Sequence, residues 1–214
     1  MYTPKIDAVV KADVLIIGGG LAGTWAGIGA KDEGAEDVLL VDKAYVSRSG
    51  QSPFAAGIFT VFDPEEDDAD IWMREMVEAG EYLNDQEWIR LLFEKTHILA
   101  KRMDDWGARY GKTIFEKTAD GKFLRRRSRG HINTKHNVIN SLPMMETMRR
   151  KLTEVGVRIM DNVMITDLLT EGGQAIGAIG LSYRDKKSYL FLAKSVVAAA
   201  SGCGFKSYSW GTRT

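Results

Sequence analysis

The sequence holds a single cysteine, Cys203, four prolines and three histidines in 214 residues. One cysteine excludes an intrachain disulfide framework and a thiolate cluster supplied by this chain alone. So few histidines leave little material for a multi-histidine metal centre, and no metal site is expected. Charge of one sign is missing too, since 29 Lys and Arg balance 29 Asp and Glu. The balance gives no global basic field, so nucleic acid is not expected as a partner. No apolar run approaches the ~18 residues of a membrane span. The start, MYTPKIDAVVKAD, has neither the basic opening nor the long apolar core of a signal peptide. A soluble, cytoplasmic protein with no direct membrane insertion is the expectation. Apolar residues, by contrast, make up 44% of the chain, ordinary for a packed core. The length suits one domain, or one and a part.

Asp13–Ile17 is an apolar, β-branched run closed by Gly18-Gly19-Gly20, as in a strand buried on both faces of a parallel sheet. Leu21–Lys31 is small and apolar and predicts a helix packed close to that sheet, with Gly34 as its stop. Asp37–Val41 predicts a second strand ending at Asp42, which completes one right-handed βαβ unit. Residues Ser47–Gly57 are turn-rich. An acidic stretch, Asp63–Asp70, leads into a helix whose apolar positions are Ile71, Met76 and Val77. A second helix starts at the capping pair Asn84-Asp85 and runs to about Asp105, ended by Gly107. Trp88, Leu91, Leu92, Ile98, Leu99 and Met103 have helical spacing and predict its buried face. Lys112–Lys135 reads as short strands and a loop, and Asn137–Val155 as a helix. Val157–Met160, Val163–Leu169, Ala175–Tyr183, Ser188–Leu192 and Ser195–Ala199 read as short strands, two of them joined by a Gly172-Gly173 hairpin turn.

Gly18-x-Gly20-x-x-Gly23 follows a buried strand and opens a helix, the context that gives this spacing its meaning. The first glycine permits the tight turn, the second lets a pyrophosphate approach the backbone, and the third allows close helix–strand packing. Free N–H groups and a partial positive charge at the helix start suit phosphate. Asp42, nineteen residues after Gly23, can accept hydrogen bonds from ribose hydroxyls and repels a 2′-phosphate; a glycine turn used only for packing and a solvated strand end are the alternatives. NAD and FAD share this fingerprint. The Ser47–Gly57 loop, in place of a prompt helix and third strand, suits a flat isoalloxazine ring; a plain surface loop is the alternative.

ADVLIIGGGLAG, VLLVDKA, RSGQSPFAAGI, EAGEYLNDQEWIRLLFEK, DDWGARYG, GVRIMDNVMITDLL and AKSVVAAASGCG resemble, in that order, the fumarate reductase/succinate dehydrogenase flavoprotein family. That family includes L-aspartate oxidases and adenylylsulfate reductase α subunits. The resemblance implies an α/β fold: an FAD-binding Rossmann-type parallel sheet with a helical excursion and a small β-meander. It divides the chain into an extension (1–12), the βαβ unit and flavin loop (13–62), the excursion (63–155) and the return to sheet and meander (156–214). By resemblance, Gly18, Gly20 and Gly23 bind the FAD pyrophosphate and Asp42, usually Glu in the family, binds the ribose. Lys43 and Ala44 flank the adenosine. Ser49, Gly50, Gln51 and Ser52 meet pyrophosphate and flavin, and Gly57 closes their loop. Ile165 reads the adenine edge, and Ala200, Ser201 and Gly202 match an Ala-Thr-Gly turn over the cofactor.

Gly50 stands where respiratory members carry a histidine bonded to the flavin, so non-covalent FAD is implied. The family continues past the position of Thr214 with a capping domain, which holds the catalytic arginine and most residues binding the dicarboxylate. The chain thus looks like a truncated fragment with no catalytic residue assigned. The implied activity is hydride transfer between flavin and a small organic acid or related substrate. The implied partner is an iron–sulfur or other electron-transfer subunit. An adenylylsulfate-reductase-like α subunit, suggested by Arg48-Ser49-Gly50, and a nucleotide-binding module without catalysis are the alternatives.

Beyond the motif, His131 and His136 are candidates to orient flavin or substrate, against the commoner structural role. His97 reads as structural. Arg125-Arg126-Arg127 with Arg129 reads as a solvated loop, Cys203 as a packed thiol, and Trp72, Trp88 and Trp106 as core.

Overall fold

The computed structural model describes residues 5–55, 57–128 and 131–202. In chain order the elements are β1 (Ala8–Ile17), α1 (Leu21–Asp32), β2 (Val38–Val41), β3 (Ile58–Phe59), α2 (Ala69–Ala79), α3 (Gln86–Arg109), β4 (Arg125–Arg126), β5 (His136–Val138), α4 (Ser141–Glu154), β6 (Arg158–Met160), β7 (Val163–Glu171), β8 (Gln174–Ser182) and β9 (Ser188–Ala198). They fall into two units, Met1–Gly50 with Arg149–Thr214, and Gln51–Met148. Among the described residues no helix is long and apolar enough to cross a membrane.

The first unit is built on a six-stranded sheet in the order β6-β2-β1-β9-β8-β7. β6, β2, β1 and β9 are parallel, and β9, β8 and β7 form an antiparallel meander. All four residues of β2 are buried, as its unbroken apolar run requires, and each large side chain contributes about 1.5–3 kcal/mol by leaving water. Leu15, Leu39, Val41, Val163, Ala178 and Phe191 form the core cluster. β7 turns into β8 through Gly172 and Gly173, whose φ values of 56° and 82° are the two positive dihedrals of the tightest hairpin turn.

Two strand boundaries differ from expectation. β1 begins at Ala8, so Ala8–Ala12 lie in the sheet rather than in an extension; their partners, Tyr189–Ala193 on β9, are distant in sequence. β9 is one strand rather than two. Lys194, which interrupts its apolar pattern, is exposed and pairs with Asp13 at 2.7 Å, so no charge is buried.

The second unit holds α2, α3, the start of α4 and a small antiparallel sheet, β3-β5-β4. Asp68 caps α2 by accepting from the N–H groups of Asp70 and Ile71, and Asp85 caps α3 by accepting from that of Glu87. Phe62 stacks on Phe93 at 4.4 Å, with Trp72 edge-on to both. Trp72 and Trp106 are buried, as expected. Trp88, however, is 70% exposed, and Leu91 and Ile98 are exposed beside it. The buried positions of α3 are Ile89, Ala100, Met103, Trp106 and Gly107, so the core takes the adjacent stripe. In α2, Ile71 is likewise exposed while Trp72 and Glu75 are buried.

Gly107 does not end α3. A Cβ there would lie 2.8 Å from Ile114 Cγ1, so this glycine makes room for Ile114. The helix runs to Arg109, and Gly111, at φ 68°, turns the chain. α4 starts at Ser141 rather than Asn137, because His136–Val138 are paired in a sheet. Its Leu142 is exposed, and Met144, Met145 and Met148 are buried.

Candidate functional site

The site begins where β1 stops. Gly18 N–H donates to Val41 O at 2.8 Å, and Ala199 N–H, just after β9, donates to Ile17 O at 2.8 Å. Gly18 has φ +108°, and a Cβ there would lie 2.7 Å from the Ala199 carbonyl carbon. Only glycine fits that space and that dihedral. The turn after β1 and the segment after β9 are therefore in contact. A Cβ at Gly23 would come within 3.0 Å of the Gly18 carbonyl carbon, and nearer to its oxygen, so α1 lies as close to the turn as backbone permits. Gly20 is the cap of α1, extended at φ −76° and ψ −169°; as a glycine it brings no capping side chain, and no acidic residue lies in the helix's first turn. Such an end carries roughly half a positive charge.

Asp42, at the end of β2, turns its carboxylate toward this feature. Oδ2 accepts from Gly19 N–H at 2.6 Å; Oδ1 accepts from Ala44 N–H at 2.7 Å and from the Ser49 hydroxyl at 3.1 Å. A carboxylate has about four acceptor positions, so one on Oδ2 takes no donor among the described residues. Asp42 and Ala44 are tied down by backbone hydrogen bonds: Asp42 N–H to Met160 O, Val163 N–H to Asp42 O and Asn162 N–H to Ala44 O. Lys43 is exposed. Gly50 takes φ +78° with open space where a Cβ would stand.

Sequence reading missed Ser47. It is 1% exposed, holds φ 67° and donates its N–H to Gly19 O at 3.0 Å. Its hydroxyl oxygen has no hydrogen-bond partner among the described residues. A buried hydroxyl normally has one. A small polar residue before Arg48 was the only signal.

The glycine-capped helix end, the acceptor capacity left on Asp42 and the Ser47 hydroxyl without a partner among the described residues fit a dinucleotide at this turn. Ile165 is on β7, its side chain packed on the core and its backbone opposite Gly180. Ala200, Ser201 and Gly202 are exposed beyond β9, with Ser201 at φ 72°. In the second unit, Gln51 caps the short turn Ser52–Phe54, and Gly57, at φ +77°, accepts from Ile139 N–H at 2.8 Å. The glycine turn, Asp42, Ala44 and Ser49 are thus linked by direct hydrogen bonds, whereas Gln51, Ser52 and Gly57 belong to the other unit.

The two histidines fall in the second unit, with their rings 4.4 Å apart. Glu75 is buried and accepts from Asn133 N–H at 2.8 Å and the Thr134 hydroxyl at 2.8 Å; His131 Nδ1 lies 3.1 Å away. Burial would raise the Glu75 carboxyl, but the hydrogen bonds from Asn133 and Thr134 outweigh it and hold it below the usual range. His136 is buried, with Nδ1 at 3.2 Å from the Thr60 hydroxyl and Nε2 without a partner among the described residues. Burial, then the charges of His131 and Arg125, depress its imidazole below the ordinary value. Arg125 is not solvated: it pairs with Asp67 at 2.5 Å and is 9% exposed. Arg129 and Cys203 lie outside the described residues.

The family model described as FAD binding domain matches residues 13–212. The chain belongs to this family. Among curated relatives, the FAD binding domain is 29% identical over 202 residues to a fumarate reductase (CoM/CoB) subunit of Methanothermobacter marburgensis, covering 91% of this chain and 36% of that protein. It therefore spans about a third of that relative's length. Among solved structures it matches the quinol fumarate reductase of E. coli with a TM-score of 0.82 at 21% identity, over 92% of this chain and 34% of the other, a likeness of fold. Adenylylsulfate reductase of Archaeoglobus fulgidus matches with a TM-score of 0.66 at 25% identity, over 94% of this chain and 34% of the other. The FAD-binding α/β fold with its mostly parallel sheet is therefore as expected, as is the kinship with fumarate reductase and succinate dehydrogenase flavoproteins. The cofactor of this family is FAD.

Proposed function

We propose that the chain supplies the FAD-binding part of an FAD-dependent oxidoreductase, cytoplasmic and of the fumarate reductase and succinate dehydrogenase type. The reaction is hydride transfer between flavin and a small organic acid or related substrate, with electrons exchanged through an iron–sulfur or other electron-transfer subunit. Bound FAD supplies the redox chemistry, and the protein supplies binding, orientation and electrostatics. The observation that carries this reading is the glycine-capped α1 N-terminus behind a turn in which Gly18 and Gly23 admit no side chain.

Gly18, Gly20 and Gly23 hold the pyrophosphate against the backbone, where the helix end stabilises its charge. Asp42 accepts from the ribose through its remaining position, and its charge disfavours a 2′-phosphate. Lys43, Ala44 and Ile165 border the adenosine. Ser49, Gly50, Gln51, Ser52 and Gly57 serve pyrophosphate and flavin, and Ala200, Ser201 and Gly202 the cofactor's other side. With Gly50 at the histidine position, the FAD is held without a covalent bond. A second reading, an adenylylsulfate-reductase-like α subunit, is favoured by the same Arg48-Ser49-Gly50 loop.

The test is Gly20→Val. The backbone at Gly20 is extended at a negative φ that side-chain-bearing residues adopt, so the variant is expected to keep its far-UV circular dichroism while the side chain fills the pyrophosphate space. Flavin binding is expected to vanish. Retained affinity in a folded variant would show that the turn serves only packing.

A further inference from the structure

One pair of side chains outside the assigned site grips the loop that carries Asp42 and Ser49. Arg149, on α4, forks onto Asp161, in the turn between β6 and β7: Nη2 donates to Oδ2 at 2.8 Å and Nη1 to Oδ1 at 3.1 Å. The same pair then binds both backbone groups of one loop residue. Val46 N–H donates to Asp161 Oδ1 at 2.7 Å, and Arg149 Nη1 donates to Val46 O at 3.0 Å. Together the two side chains do what a neighbouring strand would do, but at a single residue. The guanidinium carbon also lies 3.9 Å from the centre of the Tyr45 ring, within cation–π range.

The grip passes directly to the glycine turn. Val46 is fully buried, and a Cβ placed on Gly19 would lie 2.7 Å from Val46 Cγ2, so the valine stands against that residue. Ser47 N–H is bonded to Gly19 O, and Gly19 N–H to Asp42. Ser49 spans from Asp42 to Tyr45 O at 3.1 Å. Both clamp residues are largely shielded, with a quarter or less of each side chain exposed, so this is not a screened surface pair of negligible worth. A lysine cannot replace the arginine, since one ammonium lacks the planar fork that meets a carboxylate and a carbonyl together.

We propose that Arg149 and Asp161 are positioning residues for the cofactor, which hold Val46 against the glycine turn and so preset Asp42, Ser47 and Ser49 for the dinucleotide. The proposal rests on the FAD reading above. It assigns no contact between either residue and FAD; their effect is preorganisation, which lowers the cost of ordering the loop on binding.

The experiment uses the 214-residue chain and its Arg149→Met, Arg149→Lys and Asp161→Asn variants. FAD is titrated by flavin fluorescence at a temperature where circular dichroism shows each variant folded. Amide hydrogen exchange at Val46 is measured without cofactor. Arg149→Met is expected to weaken FAD binding tenfold or more and to abolish protection of the Val46 amide. Arg149→Lys should fall near the methionine variant, despite its kept charge. Asp161→Asn, which keeps an acceptor for Val46 N–H, should lose less. Arg149→Met combined with Asp42→Asn should be less than additive in log Kd, since both act through one loop. If Arg149→Met does not fold, Arg149→Lys and Asp161→Asn decide the matter. Folded variants with Kd within twofold of wild type overturn the clamp alone. Wild-type chain that binds no FAD overturns the cofactor reading, and the clamp's role with it.

Discussion

Two glycines on one helix should respond to alanine with opposite signs. Gly23 and Gly29 both lie within α1, where alanine is intrinsically favoured by about 1 kcal/mol. At Gly29 a Cβ meets nothing within 4 Å. Gly29→Ala should therefore collect most of that gain, about 0.5–1 kcal/mol, chiefly through the unfolded chain. At Gly23 the Cβ would press on the Gly18 carbonyl, which is backbone and cannot rotate away. α1 must move off the turn, at the roughly 1–3 kcal/mol typical of overpacking. That cost exceeds the propensity gain, so Gly23→Ala should be destabilising, and it should weaken FAD binding because the helix end leaves the phosphate position. Gly27 is intermediate, since its Cβ would press on the tip of Leu152 at 2.7 Å, a side chain, and meet Ile16 and Val157 at ordinary contact distance. The assay is urea unfolding followed by circular dichroism, with m held constant across the series. Equal effects at Gly23 and Gly29, or a stabilised Gly23→Ala, would refute the close approach of helix and turn.

Two further outcomes follow from individual side chains. Asp42→Asn places an amide N–H₂ against the Gly19 or the Ala44 N–H, because the carboxylate accepts from both. One donor is left unsatisfied, at about 1–3 kcal/mol, and the Kd for FAD should rise tenfold or more in a fluorescence titration. The second outcome concerns pH. His136 is held neutral, with its folded pKa below the ordinary 6.5, so the unfolded chain binds more protons across the interval between those values. Its contribution is complete above about pH 6.5 and is lost as pH falls toward the folded value, at no more than about 1.4 kcal/mol per pH unit. Thermal unfolding of His136→Gln against wild type from pH 7.5 to 5 should show a shallower decline in the variant. Parallel curves would contradict the burial of a neutral imidazole.

The opening βαβ unit was legible because every signal in it is local. A buried apolar run, three spaced glycines and a second run ending in a carboxylate all lie between Asp13 and Asp42. The β7–β8 hairpin was legible for the same reason, since Gly172-Gly173 prescribes its turn. What escaped was set by distant partners. Ala8–Ala12 join the sheet through β9, and nothing nearby marks them as strand. Helical spacing on α3 correctly gave an amphipathic helix, yet two adjacent stripes carry apolar residues. Packing chose the one with Met103 and Trp106 over the one with Trp88 and Ile98. Gly107 looked like a stop because space for Ile114 cannot be read from spacing.

The site shows the same division. The glycines announced themselves through their spacing after a buried run, and Asp42 through its place at a strand end. Ser47, Arg149 and Asp161 did not, because their importance lies in what they touch: an arginine on a helix and an aspartate in a turn are ordinary until a fold brings them to the same valine.

The central claim is that the turn after β1 holds the diphosphate of FAD. Its most direct measurement is a titration of the purified chain with FAD, and in parallel with NAD, followed by flavin fluorescence and by thermal unfolding. Saturation is expected at one FAD per chain, with a Tm that climbs as FAD is added and no comparable rise with NAD. A Tm indifferent to FAD, with flavin fluorescence unchanged at stoichiometric protein, would contradict it.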